Sequence, residues 1–334
     1  MRVIFMGTPQ FAVPALEALA ACAAPGHVWA SGLDIVGVFT RPDKPAGRGR
    51  ALAISPIKAY AAECGMPVYQ PGPLRAPDAL ALLHRLAPDL IVVAAFGQIL
   101  PPAVLSLPRH GCINLHASLL PRHRGASPIA AAILAGDTET GITVMLMDEG
   151  LDTGPILAMR PIAIGPTETA GELGARLAQL GTGLLVEMLP QWLAGSITPI
   201  AQDPTLATTT HLLRKTDGRV DWSLSADEIS RRVRAYTPAP GASTTWQGRQ
   251  IKLLRVRPLT GERPPGAPAA PPGTVWLAPG TAPGEQTLAC ACGQGAIALE
   301  VIQLEGKRAL PAADFLRGHA GIVGARLGAA DAAS

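Results

Sequence analysis

Residues Asp89–Phe96 read DLIVVAAF. After Asp89 every side chain is apolar, and Ile91, Val92 and Val93 are β-branched. A strand covered on both faces reads this way, and such strands belong to parallel sheets flanked by helices. Working outward, Arg2–Met6 (before Gly7-Thr8-Pro9), Asp34–Thr40, Cys112–His116, Gly141–Asp148 and Pro155–Ile164 read as further strands. Helices alternate with them. The Ala/Leu-rich run Phe11–Ala23 is entered past Pro9, whose missing N–H costs nothing in a first turn. Ser55-Pro56 is an N-cap followed by Pro at N1, opening a helix to about Cys64. Pro128–Leu134 is short. Thr169-Ala170-Gly171-Glu172 fits a capping box before a long helix to about Trp192. The alternation predicts an α/β domain over residues 1–195 with a doubly wound, mostly parallel sheet.

The pattern changes after Gly195. Residues 196–210 are polar, with Pro and Thr and no periodicity, and are expected to be a linker. From 211 to 318 the elements are short. A Ser225-to-Glu228 capping box opens a helix to about Tyr236. Strand candidates follow at Ser243–Trp246, Gln250–Arg257, Gly273–Leu277, Thr287–Ala291 and Ala296–Gln303, predicting a small β-barrel or sandwich. Glu262–Pro272 reads as a loop, and 319–334 as a tail.

The chain has 334 residues, which favours two domains. It is 48% hydrophobic and 16% charged, enough for sizeable cores and too little charge for disorder. Aromatics are 4%, so the cores must be aliphatic. No apolar run reaches the roughly 18 residues a membrane helix needs. Met1–Met6, broken by Arg2, has neither a basic n-region nor a cleavage site, so no leader peptide is expected. Cys22, Cys64, Cys112, Cys290 and Cys292 are odd in number, widely spaced and without CxxC, which fits reduced cytoplasmic thiols better than disulfides or zinc. The net charge of +3 hides an asymmetry. Residues 211–318 carry 14 Lys/Arg against 9 Asp/Glu, and Arg231–Arg257 holds seven basic residues and no acidic one. A basic second domain beside a mildly acidic first one suits a polyanion, although a solvated basic face would read the same way.

Motifs for dinucleotides, nucleoside triphosphates and serine hydrolases are absent, and no histidines stand at metal-ligand spacing. Ligands of open α/β sheets bind beyond the carboxyl ends of the strands. In Cys112-Ile113-Asn114-Leu115-His116 the polar pair is two residues apart, so Asn114 and His116 share a face. Asn can donate to a developing oxyanion, and His can exchange a proton near neutrality. The loop Met147–Gly154, with Asp148 and Asp152 between glycines, can bring a carboxylate back to that histidine, and spacing does not choose between the two acids. Such a trio suits acyl-type transfer. Each residue also has a plain structural reading, as a turn cap, a strand-end histidine and an Asx-turn. Arg41-Pro42-Asp43-Lys44-Pro45-Ala46-Gly47-Arg48-Gly49-Arg50 is a basic loop after the second strand, on the same edge of the sheet, where it could clamp phosphates or be merely solvated.

Asn114-Leu115-His116 with Ser118-Leu119-Leu120-Pro121, Arg124-Gly125 and Leu151-Asp152-Thr153-Gly154 resembles the folate-dependent formyltransferases. Phe5–Pro9 with Phe11, Pro42–Gly49, Gly97–Pro101 and Val220–Ser223 extend the likeness, over about residues 1–318, to the branch that acts on methionyl initiator tRNA. The resemblance implies a Rossmann-like catalytic domain, a smaller C-terminal OB-type barrel and formyl transfer from 10-formyltetrahydrofolate, without metal. It implies Asn114, His116 and Asp152 as the catalytic trio. Ser118, Leu119, Leu120 and Pro121, and more loosely Phe96, Gly97, Gln98 and Leu100, would line the folate site. Arg48 matches the loop arginine at the acceptor end of the tRNA. With it, Arg41, Lys44, Arg50, Arg231, Arg232, Arg234, Arg249 and Lys252 are the expected tRNA contacts, and a cytoplasmic monomer is expected. Two positions depart from the family pattern: Ala117 stands where Gly is common, and Ala239 where Trp is frequent. A sugar-nucleotide N-formyltransferase or a 10-formyltetrahydrofolate hydrolase could use the same trio. The first has no need of a basic second domain, and the tRNA-type loop and second domain argue against the second. A non-catalytic RNA- or folate-binding module would not need the intact trio.

Overall fold

A computed structural model of the chain describes residues 1–23, 32–46, 51–259, 270–279 and 286–328, apart from the side chains of 44–46 and 51. It divides into two compact units: Met1–Ile129, Glu139–Ala163 and Leu173–His211 in the first, and Ala130–Thr138, Ile164–Glu172 and Leu212–Ser334 in the second.

Up to residue 210 the elements are β1 (Arg2–Gly7), α1 (Val13–Ala23), β2 (Asp34–Phe39), β3 (Lys44–Ala46), β4 (Ala51–Ala53), α2 (Pro56–Glu63), β5 (Val68–Tyr69), α3 (Pro77–Leu86), β6 (Leu90–Ala94), α4 (Pro102–Leu105), β7 (Cys112–His116), β8 (Arg124–Gly125), α5 (Pro128–Ala135), β9 (Glu139–Leu146), β10 (Ile156–Ala163), α6 (Ala170–Leu193) and β11 (Thr209–Thr210). The main sheet has seven strands in the order β10-β9-β7-β6-β1-β2-β5. Five neighbouring strands, β5 to β7 along this order, are parallel. β9 runs against both β7 and β10. The sheet is therefore mixed, with one reversed strand. β6, the strand of the DLIVVAAF run, is buried at every position and lies near the centre. One core cluster on this sheet joins Ile4, Met6, Phe39, Ile91, Val93 and Phe96 with Leu83 of α3. Truncating one such aromatic to Ala costs about 3–5 kcal/mol.

The helix starts follow local chemistry. Ser55 Oγ accepts the N–H of Lys58 at 3.1 Å, capping α2. Thr169 and Glu172 bond each other's main-chain N–H groups, as a capping box requires. α3 follows Ala76, which offers no capping side chain, so it lacks the start signal that marks the other two.

The second unit contains α7 (Ala226–Tyr236), β12 (Ala242–Trp246), β13 (Arg249–Pro258), β14 (Val275–Pro279), β15 (Gln286–Ala291), β16 (Ala296–Leu304), β17 (Ala309–Pro311) and α8 (Ala312–Gly318). Its antiparallel sheet has the order β12-β13-β16-β15-β14, with β17 also on β16. Ile229 and Val233 of α7 and Phe315 of α8 share its core with Trp222, Ile251, Leu253 and Ile302. Ser225 and Glu228 form the capping box of α7.

Candidate active site

β7 ends at His116, next to β6 in the parallel part of the sheet. Asn114 and His116 share a face of β7, as their spacing requires. β9 is antiparallel to β7, with Leu146 opposite Ile113, so the hairpin loop after β9 starts beside the amino end of β7. It folds back to deliver Asp152. At Gly154 a Cβ would lie 1.8 Å from Leu146 O, so only glycine lets the loop return this close to its own strand. Asp152 itself adopts φ +53°, a left-handed conformation that Asp tolerates better than most residues.

The carboxylate is tied at both oxygens. Oδ2 accepts the Gly125 N–H at 2.7 Å and stands 3.5 Å from His116 Nδ1. Oδ1 accepts from Asn114 Nδ2 at 3.4 Å. Asp148, the competing acid, is turned into its own loop, where it accepts from Thr153 Oγ1 at 2.7 Å and from Gly150 N–H at 3.1 Å.

His116 is only 5% exposed, and its Nε2 lies 2.9 Å from His123 O. A carbonyl can only accept, so Nε2 carries the proton and Nδ1 is the basic nitrogen of the neutral ring. The tautomer is thus set by the His123 carbonyl, a group with no side-chain signature. Burial holds the His116 pKa below its ordinary value, with Asp152 and the His123 carbonyl pulling the other way and the His123 ring adding to the depression. The ring is neutral at neutral pH. At 3.5 Å the Asp152 carboxylate is too far for a close hydrogen bond but near enough to stabilise an imidazolium. Such a cation would have both N–H groups facing acceptors. The trio can therefore take up one proton at Nδ1 beside an amide N–H donor.

The other expected site residues fall into distinct places. Ser118 is buried, and its Oγ donates to Arg122 O at 2.6 Å. Leu120 N donates to Thr143 Oγ1, which donates in turn to Ser118 O. Leu119 is half-buried, with its Cδ2 against Gly141, and Pro121 is half-buried. Run 118–121 thus forms a turn locked to β9. Phe96 and Leu100 are core residues, 2% and 4% exposed, while Gly97 is exposed and Gln98 half-buried. Thr8 Oγ1 donates to Phe96 O at 3.0 Å and accepts from Arg41 N at 3.4 Å, tying together the loops after β1, β2 and β6.

The basic loop contains more structure than its Gly and Pro content predicts: β3, inside it, pairs antiparallel with β4, which follows it. Arg41 is exposed at its base, and its carbonyl accepts from Gln70 Nε2. Asp43 binds Lys58 Nζ at 2.5 Å and Gln70 Nε2 at 2.8 Å. These bonds hold the Asp43 carboxyl below the usual carboxylate range. Arg48, Arg50 and the side chain of Lys44 lie outside the described residues. In the second unit Lys252 and Arg249 are exposed, and Arg249 Nη2 donates to Glu305 O at 2.9 Å. Arg231, Arg232 and Arg234 are half-buried. Arg234 Nη1 donates to Glu168 O at 3.1 Å, and Arg231 lies along Gly136. Those two arginines are partly engaged inside the unit rather than fully presented.

Four contributors to the site escaped the sequence reading: the His123 carbonyl, the Gly125 N–H, Arg124 and Gln202. Arg124-Gly125 was legible as a motif, but without a role. Gln202 carried no signal.

A family model described as "Formyl transferase" matches residues 1–189, and "Formyl transferase, C-terminal domain" matches 212–320. The chain belongs to the formyl transferase family. Relatives matched along nearly the whole chain include methionyl-tRNA formyltransferases. The protein of that name from Myxococcus xanthus (strain DK1622) is 47% identical over 318 residues, 95% of each chain. That from Geobacter sulfurreducens is 45% identical over 330 residues, 99% of this chain and 98% of its own. Among solved structures, an N-formyltransferase from Helicobacter canadensis, in complex with folinic acid and dTDP-3-aminofucose, superposes with TM-score 0.62 at 16% identity, over 89% of this chain and 98% of that one. HypX from Aquifex aeolicus, in complex with tetrahydrofolic acid, gives 0.58 at 17% identity, over 95% of this chain and 47% of that longer one. At such identities the likeness is one of fold. Among the described residues no helix is long and apolar enough to cross a membrane, and no cluster of potential metal ligands occurs.

Proposed function

We propose that this chain transfers the formyl group of 10-formyltetrahydrofolate to the α-amino group of methionine on initiator tRNA. The observation that carries the reading is His116, a buried neutral imidazole whose Nδ1 is left basic beside Asp152 and Asn114. The amine nitrogen attacks the formyl carbon, and His116 Nδ1 takes the proton the nitrogen loses. Asp152 stabilises the imidazolium. The amide of Asn114 supports the oxyanion of the tetrahedral centre. When the bond from the formyl carbon to the folate nitrogen breaks, that nitrogen leaves with the proton from His116.

Residues 1–195 are read as the catalytic domain, and the expected linker 196–210 is bonded along the first unit at Ile200, Thr208 and β11. The 211–318 sheet is read as an OB-type barrel that binds tRNA, with Ile322 and Leu327 of the expected 319–334 tail packed in its core. Run 118–121 and loop 96–100 border the folate, with Gly97, Gln98 and Ile99 the accessible members of that loop. Arg41, Lys44, Arg48 and Arg50 would grip the acceptor end. Lys252, Arg249 and the partly engaged Arg231, Arg232 and Arg234 would lie under a second part of the tRNA. The basic composition of 211–318 supports this division. The enzyme would act as a monomer in the cytoplasm.

Relatives at 44–48% identity along nearly the whole chain favour this acceptor over an amino sugar. The named sugar formyltransferases share the fold at 16–22% identity. Offering the chain 10-formyltetrahydrofolate with charged initiator tRNA, a dTDP-amino sugar or buffer alone tests the reading. Formylation of the charged tRNA alone is the expected result. Formylated sugar, or formate release at the same rate in buffer, would overturn it.

A further inference from the structure

Residues 200–210, where the sequence shows only polarity, are bonded along the first unit. Ile200 and Ile156 exchange main-chain hydrogen bonds at 2.8 and 2.9 Å. Thr208 Oγ1 accepts from His123 N at 2.8 Å, and β11 pairs in parallel with β8. Gln202 lies between these anchors. Its Nε2 donates to Asp152 O at 2.8 Å and to Gly154 O at 2.7 Å. Its Oε1 accepts from Arg124 Nε at 3.0 Å and Nη2 at 2.7 Å. Carbonyls only accept and a guanidinium only donates, so these neighbours fix which way the amide faces. One half-buried side chain thereby makes four hydrogen bonds. Two hold the loop that carries Asp152. The other two hold the residue before Gly125, whose N–H grips the Asp152 carboxylate.

We propose that Gln202 is a positioning residue: its amide fixes both sides of the Asp152–Gly125 contact and so sets the distance from the carboxylate to His116. The proposal rests on the reading of His116 and Asp152 as the reacting site. It assigns a chemical task to a segment whose composition marks only a connector. Glycine at 125 fits this strap, since a Cβ there would lie 2.6 Å from Thr210 O.

Gln202→Glu tests it in the full chain. The carboxylate still accepts from Arg124 but places an oxygen against two carbonyls where the amide donated. Gln202→Met keeps the bulk and removes every hydrogen bond, and serves if the first variant folds poorly. Two readouts are needed: kcat and KM for formyl transfer, and the titration of His116 by NMR of histidine-labelled protein. A carboxylate set loose by a fraction of an ångström to 1 Å should lower kcat by roughly 10–100-fold, with KM for both substrates little changed. In Gln202→Met, which adds no charge, the His116 midpoint should move to lower pH, because Asp152 is the largest of the groups that raise it; a carboxylate at 202 would itself act to raise the midpoint. An unmoved midpoint in folded Gln202→Met would overturn the proposal, whatever kcat does. If Asp152→Ala leaves transfer intact, the catalytic reading fails by itself, and the His116 titration still decides whether Gln202 positions Asp152.

Discussion

Asp152 takes the main-chain N–H of Gly125 at 2.7 Å on Oδ2, the same oxygen that faces His116. The backbone therefore holds the carboxylate in place, and the histidine can gain or lose a proton without releasing its partner. The arrangement separates two tasks, because the His123 carbonyl orients the ring and Asp152 answers its charge.

Removing the groups around His116 should cost turnover rather than folding. Asn114→Ala and Asp152→Ala are each expected to lower kcat roughly 10²–10³-fold, the usual cost of deleting a preorganised polar group at a tetrahedral centre. Circular dichroism and thermal unfolding of both variants should match the wild type. Wild-type turnover in either variant would remove that residue from the mechanism.

The protonation of His116 follows from its burial. Its pKa should lie below the ordinary value of about 6.5, with desolvation outweighing the help from Asp152. Because the folded value is depressed, the contribution of His116 to stability is intact above about pH 6.5 and is lost as pH falls through the folded value. NMR titration of the ring checks the midpoint. Asp152→Asn should lower it further. A midpoint at or above the ordinary value would contradict the account.

Gly154 should resist every side chain. A Cβ there meets Leu146 O at 1.8 Å, so Gly154→Ala must push apart the hairpin that carries Asp152. A destabilisation of about 1–3 kcal/mol in urea is expected, together with lost transfer activity. An unchanged unfolding midpoint would show that the loop does not return as closely as described.

Arg48 was placed by resemblance and lies outside the described residues, and its test is electrostatic. Arg48→Ala should weaken tRNA binding and reduce the slope of log K against log salt by about one. Folate binding should not change. A slope equal to the wild type would reject a phosphate contact.

The sequence made the frame of this site legible where side chains carry the information. The apolar β6 run marked the sheet, and the two-residue spacing put Asn114 and His116 on one face. Capping boxes at Thr169 and Ser225 marked two helices. α3 stayed hidden because Ala76 caps nothing with its side chain. The choice of Asp152 over Asp148 came from resemblance, since both acids lie within one glycine-bracketed loop. Only the fold shows Asp148 bonded to its own turn. The His123 carbonyl and the Gly125 N–H are main-chain groups that every non-proline residue possesses. Gln202 sits in a stretch without periodicity, and its work depends on which carbonyls the fold brings to it.

The most direct test is the single-turnover rate of labelled formyl transfer from 10-formyltetrahydrofolate to methionyl initiator tRNA, comparing wild type with His116→Ala at saturating substrates. Formylmethionyl-tRNA is expected from the wild type, with a loss of roughly 10² or more in the variant. Equal rates in the two proteins would contradict a reaction that passes its proton through His116.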